Sequence, residues 1–334
     1  MPDLDKTAGT AVIVAAHRWY YPLYRCIETL RNSLADAEDL IFVDNGSSEM
    51  LCTWARERFA GITVLRLEEN SLFTGGYNRG LEYAIDRGYE YALMVNADTQ
   101  VHNPAFIGEL QEAAKRWPRA AFIGPLVHYR SPECVQKTSL SFPGILRHSL
   151  VWLPFRFLPR LVSRQHLKES EVEYLNGVCV LCRVSALKEL GLMDEAFGGY
   201  MEDADWSWRA REMGWKSVFT PIPSIVHFEE KNGYEEHSLK TFMARRNTVL
   251  WFLKRGQRNS ANAYAILSIL LCVIRHLVHR SGESHYSFRR RLKTYAGLIR
   301  HEPVSPWWKW PDNWHANGMA NEECHQKRSS RDDC

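Results

Sequence analysis

No run of 18 or more apolar residues occurs in this 334-residue chain, so no segment is long enough to cross a bilayer as a helix. The longest apolar stretch, residues 263–274, is broken by Ser268 and closed by Arg275 and His276, which predicts a buried or interfacial helix. Residues 1–9 lack the positive start, apolar centre and small-residue cleavage site of a secretory signal, so the expected location is the cytoplasm. A large excess of either charge is also missing. Lys plus Arg number 42 and Asp plus Glu 39, a net charge of +3 that leaves no general footprint for nucleic acid. The eight cysteines (26, 52, 134, 179, 182, 272, 324 and 334) include one CxxC, Cys179 to Cys182, with no second pair beside it to complete a metal site. It lies in the mostly apolar run 174–182, which reads as a buried strand with free thiols packed as small hydrophobes. There is no internal repeat.

Rings and a local charge imbalance are what the chain has in excess. Twelve Trp accompany 14 Tyr and 14 Phe, enough amphipathic rings for flat-faced ligands or an interface, although core packing uses them equally well. Residues 255–300 carry nine Lys or Arg against the single acid Glu283. Combined with the apolar stretch inside it, this segment suits an anionic membrane surface, peripherally on its inner face; a solvated helical hairpin packed on the main domain is the plainer reading. The expected organisation is a main domain over residues 10–255, a basic helical segment over 256–302, and a Trp-rich, then polar, tail over 303–334.

Short apolar strands alternate with helical spacing through the first half. Strands are predicted at 10–16, 40–43, 62–67 and 91–95, and helices at 22–34, 49–59, 75–87 and 104–116. Such β-α repetition implies an α/β fold with a mostly parallel sheet covered on both faces. Residues 128–173 are irregular and Pro-rich, with a basic aromatic stretch at 147–164. Further helices are predicted at 184–190, 203–213, 237–255, 260–279 (N-capped by Ser260) and 288–299, and a strand at 215–219.

An open parallel sheet binds ligands beyond the carboxyl ends of its strands. The residues that follow the strands are His17, Asp44-Asn45 and Asn96-Ala97-Asp98, and they are expected to meet at one edge. Taken alone, each local motif has a plain alternative. Asp44-Asn45-Gly46-Ser47 can accept from a base or ribose, or simply build a turn. In the segment 70–80, Thr74, Gly75, Gly76 and Asn78 stand at the opening of a helix, where backbone can approach a phosphate; the pattern is neither a P-loop nor GxGxxG. Asp98 can hold Mg²⁺ or Mn²⁺ against a diphosphate, or cap a turn. Glu202, Asp203 and Asp205 favour a helix start, yet crowded carboxylates also raise one another's pKa toward general-base range. His227 follows in Val226-His227-Phe228.

Taken in order, these motifs resemble family 2 glycosyltransferases of the GT-A fold, in particular a rhamnosyltransferase-like branch. The resemblance runs over residues 10–250: an N-terminal strand, V-D-N-G-S, T-G-G-x-N-x-G, N-x-D-T, E-D-x-D-x-x-x-R and a late His. It implies that Asp44 and Asn45 meet the nucleotide base, and that Thr74, Gly75, Gly76 and Asn78 line the nucleotide and diphosphate. Asn96 and Asp98 would occupy the DxD-type slot, with Asp98 and His227 as metal ligands for Mg²⁺ or Mn²⁺. Asp203 would be the general base, while Asn176, Gly177, Glu202 and Asp205 would line the acceptor side. The implied reaction is inverting transfer from a nucleotide-sugar donor, dTDP-rhamnose or a UDP-sugar, to a glycan or lipid-linked saccharide. Two departures stand out: Asn96 replaces the first acid of the DxD slot, and the first strand ends Ala-Ala-His-Arg where the branch often has Thr-Tyr-Asn. A nucleotidyltransferase and an inactive nucleotide- or carbohydrate-binding module are the alternatives. The first lacks a basic Gly-rich loop over residues 11–18; the second does not account for Asp98, Asp203 and His227 together.

Overall fold

The structure, a computed structural model, describes residues 9–18, 21–47, 49–131, 133–144, 167–228, 234–278 and 285–300. The basic aromatic stretch at 147–164 and the tail from 303 lie outside the described residues. Strands β1 (Thr10–Ala16), β2 (Leu40–Asn45), β3 (Thr63–Leu67) and β4 (Tyr91–Val95) run parallel in the order β3-β2-β1-β4. Helices α1 (Tyr21–Arg31), α2 (Glu49–Arg58) and α3 (Leu72–Asp86) connect them, and a short strand β5 (Thr99–Gln100) and helix α4 (Phe106–Arg116) follow.

Beyond β4 the sheet becomes mixed. Next come β6 (Ala120–Tyr129), short strands β7 (Val135–Gln136), β8 (Ser139–Leu140), β9 (Ser170–Val172) and β10 (Tyr174–Leu175), then β11 (Cys179–Arg183). Helices α5 (Val184–Leu190) and α6 (Glu202–Glu212) lead into β12 (Lys216–His227). β11 lies antiparallel between β4 and β6, and β12 runs parallel to β6. The order across the sheet is therefore β3-β2-β1-β4-β11-β6-β12-β5. Two antiparallel steps return β12 to the direction of β4, so both strands end at the same edge.

Alternation along each strand divides the core into two layers. Val12, Val14, Leu40, Phe42, Leu93 and Val95 face α1 and α4 through Leu23, Ile27, Phe106 and Leu110. Ala11, Ile13, Ile41, Val43, Ala92 and Met94 face α3, α5 and α6 through Tyr77, Leu81, Leu187 and Trp206. Both faces of the central strands are covered, which explains their uninterrupted apolar sequences.

Several predicted elements change on folding. The run 174–182 is two strands, interrupted at 176–178 by a turn in which the Asn176 side chain accepts from the Val178 N–H at 3.0 Å. The CxxC reading holds: Cys179 and Cys182 are buried free thiols of β11, and burial pushes both pKa values up. The strand at 215–219 extends to His227 through Pro221 and Pro223, because the pairing with β6 shifts register between Phe219 and Ser224 and leaves the prolines outside the ladder. β6 has no counterpart among the predicted elements; Gly124-Pro125 interrupts its strand pattern. Ser260 lies inside a helix that already starts at Arg258, so it is not the N-cap.

Helix α3 begins at Leu72, placing Gly75 and Gly76 within its first turns. A Cβ at Gly76 would fall 2.8 Å from Asn45 Nδ2, and one at Gly80 would fall 2.4 Å from Ile13 Cγ2. Both glycines thus let the helix close onto β1 and β2.

Candidate active site

The carboxyl ends of the parallel strands form one edge. Ala16 pairs with Asp44 in register, and the His17 ring nitrogen Nδ1 lies 2.9 Å from the Asn45 carbonyl oxygen. Asp44 is fully buried and accepts from the Ser47 N–H at 2.9 Å and the Cys52 thiol at 3.0 Å. Burial, then the bond to Asp44, pushes the Cys52 thiol up to about 11, so it stays a donor. Asn45 is engaged by the protein on both ends of its amide. Its nitrogen donates to the Leu72 carbonyl at 2.7 Å, and its oxygen accepts from the Ser71 N–H and hydroxyl at 3.0 and 2.7 Å.

The segment 74–78 is likewise tied into the fold. Thr74 donates its N–H to the Gly198 carbonyl at 3.1 Å, and its buried hydroxyl oxygen has no hydrogen-bond partner among the described residues. The Asn78 amide brackets Met193, donating to its carbonyl at 2.9 Å and accepting from its N–H at 3.1 Å. It also donates to Glu195 at 3.1 Å. Asn45 and Asn78 hold the loops around the expected nucleotide position and have little capacity left for a ligand.

Asp98 and His227 meet as the motif order suggested. Strand β5 pairs with the end of β12, Thr99 opposite His227, and the Phe228 N–H donates to the Asp98 carbonyl at 2.7 Å. Asp98 Oδ1 then lies 3.1 Å from His227 Nε2, while Nδ1 of the same ring sits 2.9 Å from Gln136 Oε1 on β7. Gln136 fixes the ring, an orienting partner of the kind metal-bound histidines use. This donor set fits a divalent cation. A carboxylate and an imidazole 3.1 Å apart match the edge of about 3 Å between neighbouring ligands held roughly 2.1 Å from Mg²⁺. His227 is 6% exposed and Asp98 20%, which leaves the carboxylate side open. Among the described residues no group of three His, Cys, Asp or Glu converges here.

Asp203 lies one turn away. The Asn96 N–H donates to the Val178 carbonyl at 2.8 Å, which joins the end of β4 to the 176–178 turn. The Gly177 N–H of that turn bonds to the Asp203 carboxylate. Asp203 also accepts from the Ala204 N–H at 2.7 Å. Together with Phe73, Met94, Phe122, Gly177 and Trp206 it lines a cavity of about 20 Å³, room for about one water molecule. Burial pushes the Asp203 carboxyl up to about 6, against the lowering effect of its backbone bonds. Glu202 is driven well above the usual carboxylate range by burial and then by Asp203, and its buried Oε2 has no hydrogen-bond partner among the described residues. Asp205 is different: it accepts from Arg209 at 2.9 Å and from Arg255 at 3.2 Å, a buried ion pair that ties α6 to the helix Tyr234–Lys254. Its charge is already compensated, leaving it poorly suited to receive an acceptor hydroxyl.

The structure thus links Asp98, His227 and Asp203 around the 176–178 turn, with Asp44 at the adjoining strand end. Gln136 was missed by sequence reasoning and carries no local signal. A second missed residue is Asn247, whose buried amide stands just before the apolar run Val249–Phe252 of its helix; that contrast was a legible one.

Comparisons with known proteins bear on the family and the fold. Residues 11–191 match the family described as glycosyl transferase family 2. Among proteins of assigned function, the chain is similar to N-acetylglucosaminyl-diphospho-decaprenol L-rhamnosyltransferase of Mycobacterium tuberculosis. The two are 30% identical over 293 residues, covering 82% of this chain and 94% of that one. A hexosyltransferase of low-salt glycan biosynthesis from Haloferax volcanii, Agl10, is 26% identical over 55% of this chain and 57% of its own. A crystal structure of GalNAc-T7 with UDP, GalNAc and Mn²⁺ superposes with a TM-score of 0.56 at 14% identity, over 90% of this chain. This chain spans 59% of that protein's length, and the likeness concerns the fold alone: an α/β fold of GT-A type with a mostly parallel sheet and flanking helices.

Proposed function

The chain belongs to glycosyl transferase family 2, and from that premise we propose that it moves an L-rhamnosyl group from a dTDP-linked donor to a sugar hydroxyl of a lipid-diphosphate acceptor. The name of the mycobacterial relative supports this choice of sugar and acceptor, and a UDP-sugar is the alternative donor. The observation that carries the reading is the meeting of Asp98 and His227 beside a turn whose next N–H bonds to Asp203.

Transfer proceeds by single displacement with inversion. The acceptor hydroxyl loses its proton to the Asp203 carboxylate as its oxygen bonds the anomeric carbon. The bond from that carbon to the diphosphate oxygen breaks, and the electron pair leaves with the nucleoside diphosphate. Asp203 is suited to the task, since a base near pKa 6 is ionised at neutral pH yet still accepts a proton readily. Asp98 and His227 would hold Mg²⁺ or Mn²⁺, which when bound supplies positive charge for the departing diphosphate. Asn96 borders the nucleotide; Asp44, Asn45, Thr74, Gly75, Gly76 and Asn78, buried in the fold, act through the loops and helix they hold in place. Asn176, Gly177 and Glu202 shape the acceptor side, while Asp205 anchors the helix that carries the base.

A panel of dTDP-rhamnose, UDP-glucose and UDP-galactofuranose, each with a GlcNAc-diphosphate-lipid analogue and Mn²⁺ or Mg²⁺, tests the reading. The expected product comes from dTDP-rhamnose with inverted anomeric configuration by NMR. Tight nucleotide binding with no transfer from any donor would favour the binding-module alternative.

A lipid-linked acceptor also gives the C-terminal helices a role. Among the described residues no helix is long and apolar enough to cross a membrane. On the helix Arg258–Val278, however, Ile266, Leu270 and Ile274 form an exposed stripe at four-residue spacing. The sequence from 255 to 300, which contains this helix, carries nine basic residues and one acid. We propose that this face rests on anionic lipid near the acceptor. The protein should float with vesicles of mixed phosphatidylglycerol and phosphatidylcholine, and more weakly at high salt. Replacing all three stripe residues by Asn is expected to lower that association by about tenfold or more. Unchanged flotation would mean that the stripe does not meet lipid.

A further inference from the structure

The segment that delivers Asp203 has a backbone shape that its own residues do not favour. Tyr200 and Met201 stand at φ 67° and 74°, in the left-handed region, immediately before the helix that begins at Glu202. Two consecutive non-glycine residues there are costly, and such conformations persist only where the surroundings over-determine them.

Much of the over-determination comes from a distant helix. Asn247, fully buried on α7 (Tyr234–Lys254), shares the two N–H groups of its amide among three carbonyls of this loop: Phe197 at 2.8 Å, Gly199 at 2.6 Å and Tyr200 at 2.8 Å. The neighbouring Arg246, also buried, donates to the Ala196 carbonyl at 2.9 Å and to the Asn247 side-chain oxygen. From the opposite side, the Thr74 N–H holds the Gly198 carbonyl. A buried amide costs free energy unless its bonds are made, and a leucine would satisfy mere helix packing here. What a leucine cannot do is donate to the carbonyls of Phe197, Gly199 and Tyr200.

We propose that Asn247 is a positioning residue for sugar transfer: by clamping the carbonyls of residues 197–200 it fixes the start of α6, and with it the direction in which Asp203 meets the acceptor hydroxyl. This rests on the reading of Asp203 as the base. Asn247 touches no reacting atom and acts through the loop alone. Small misplacements of a catalytic group are enough to matter, since about 1 Å can cost on the order of 10²-fold in rate.

The test is Asn247→Asp, which keeps the shape of the side chain but turns an acceptor toward three carbonyls. We expect kcat to fall about 10- to 100-fold while the donor KM and the nucleotide Kd stay within about twofold. The acid limb of the pH–rate profile should also move below that of the wild type, because a loosened loop lets water reach Asp203 and relieves the burial that raises it; Glu202 is the titratable neighbour that shares this effect. A merely structural residue would lower Tm and leave kcat and the limb in place, and that outcome overturns the proposal. Should Asn247→Asp not fold, Tyr200→Gly/Met201→Gly decides the matter with Asn247 intact. The clamp then still sets the turn, so kcat and the limb should hold; a tenfold loss would mean that the turn's own side chains hold it, and overturns the proposal. Asp203→Asn in parallel separates the two ideas. If it retains full activity the base assignment fails, whereas an inactive Asp203→Asn beside a fully active Asn247→Asp sinks only the clamp.

Discussion

Asp203→Asn is expected to lower kcat by about 10²–10⁴-fold and to leave nucleotide-sugar binding nearly unchanged. Asparagine keeps the size of the side chain and one oxygen for the Gly177 and Ala204 N–H groups, so the α6 start should stay in place. It has no basic oxygen with which to take the acceptor proton. In the wild type, activity should rise with pH through about 6, where Asp203 ionises. The same shift makes a stability prediction of opposite value to the enzyme. A folded-state pKa above the unfolded one means stability that is fully present below about pH 4 and lost as pH rises through about 6. Asparagine stands in for the protonated acid and escapes that loss. Asp203→Asn should therefore melt higher than the wild type at pH 8, with the difference shrinking toward pH 4. Full turnover in a correctly folded variant would remove Asp203 from the chemistry.

Asp98→Ala should abolish the metal response of nucleotide binding. With Mn²⁺ present, calorimetry of the wild type should show the nucleoside diphosphate binding far more tightly than in chelator. In the variant the two conditions should converge, an affinity loss in Mn²⁺ of about 10²-fold or more. The reason is coordinative as well as electrostatic: the only other protein ligand in the pair is His227, and one imidazole is a poor home for a hard cation. Gln136→Leu offers a graded comparison, since it leaves both ligands and removes only the bond that orients the His227 ring; a loss of about tenfold is expected. Nucleotide binding that stays equally tight and equally metal-responsive in Asp98→Ala would reassign the site.

The two predictions differ in how far the primary structure led to them. Asp98 and Asp203 were legible because each belongs to a short motif just after a strand or at a helix start, where local rules place polar groups. The strands Thr10–Ala16 and Tyr91–Val95 and the helix Val184–Leu190 were likewise readable to their ends, since apolar runs bounded by turn residues and glycine are local signals. Gln136, the loop partners of Asn247 and the engagement of Asp205 by Arg255 were not, although Asn247 itself stood out as a polar residue before an apolar run. Each joins residues far apart in the chain, and no spacing rule connects a mid-helix amide to a loop dozens of residues earlier.

The order of motifs was enough to name the fold class, the parallel strands and the carboxylates available for chemistry, because burial pattern and turn formation depend on near neighbours. Tertiary packing alone decided how those groups are used. The antiparallel insertion of β11 brings the 176–178 turn against the end of β4, and β12 passes its prolines by a register shift to carry His227 to Asp98. Asp205 was drawn into an ion pair while Asp203, two positions earlier, was left facing a cavity. Those outcomes follow from which strands pair and which helices touch, long-range contacts whose free energy exists only once the whole sheet has formed.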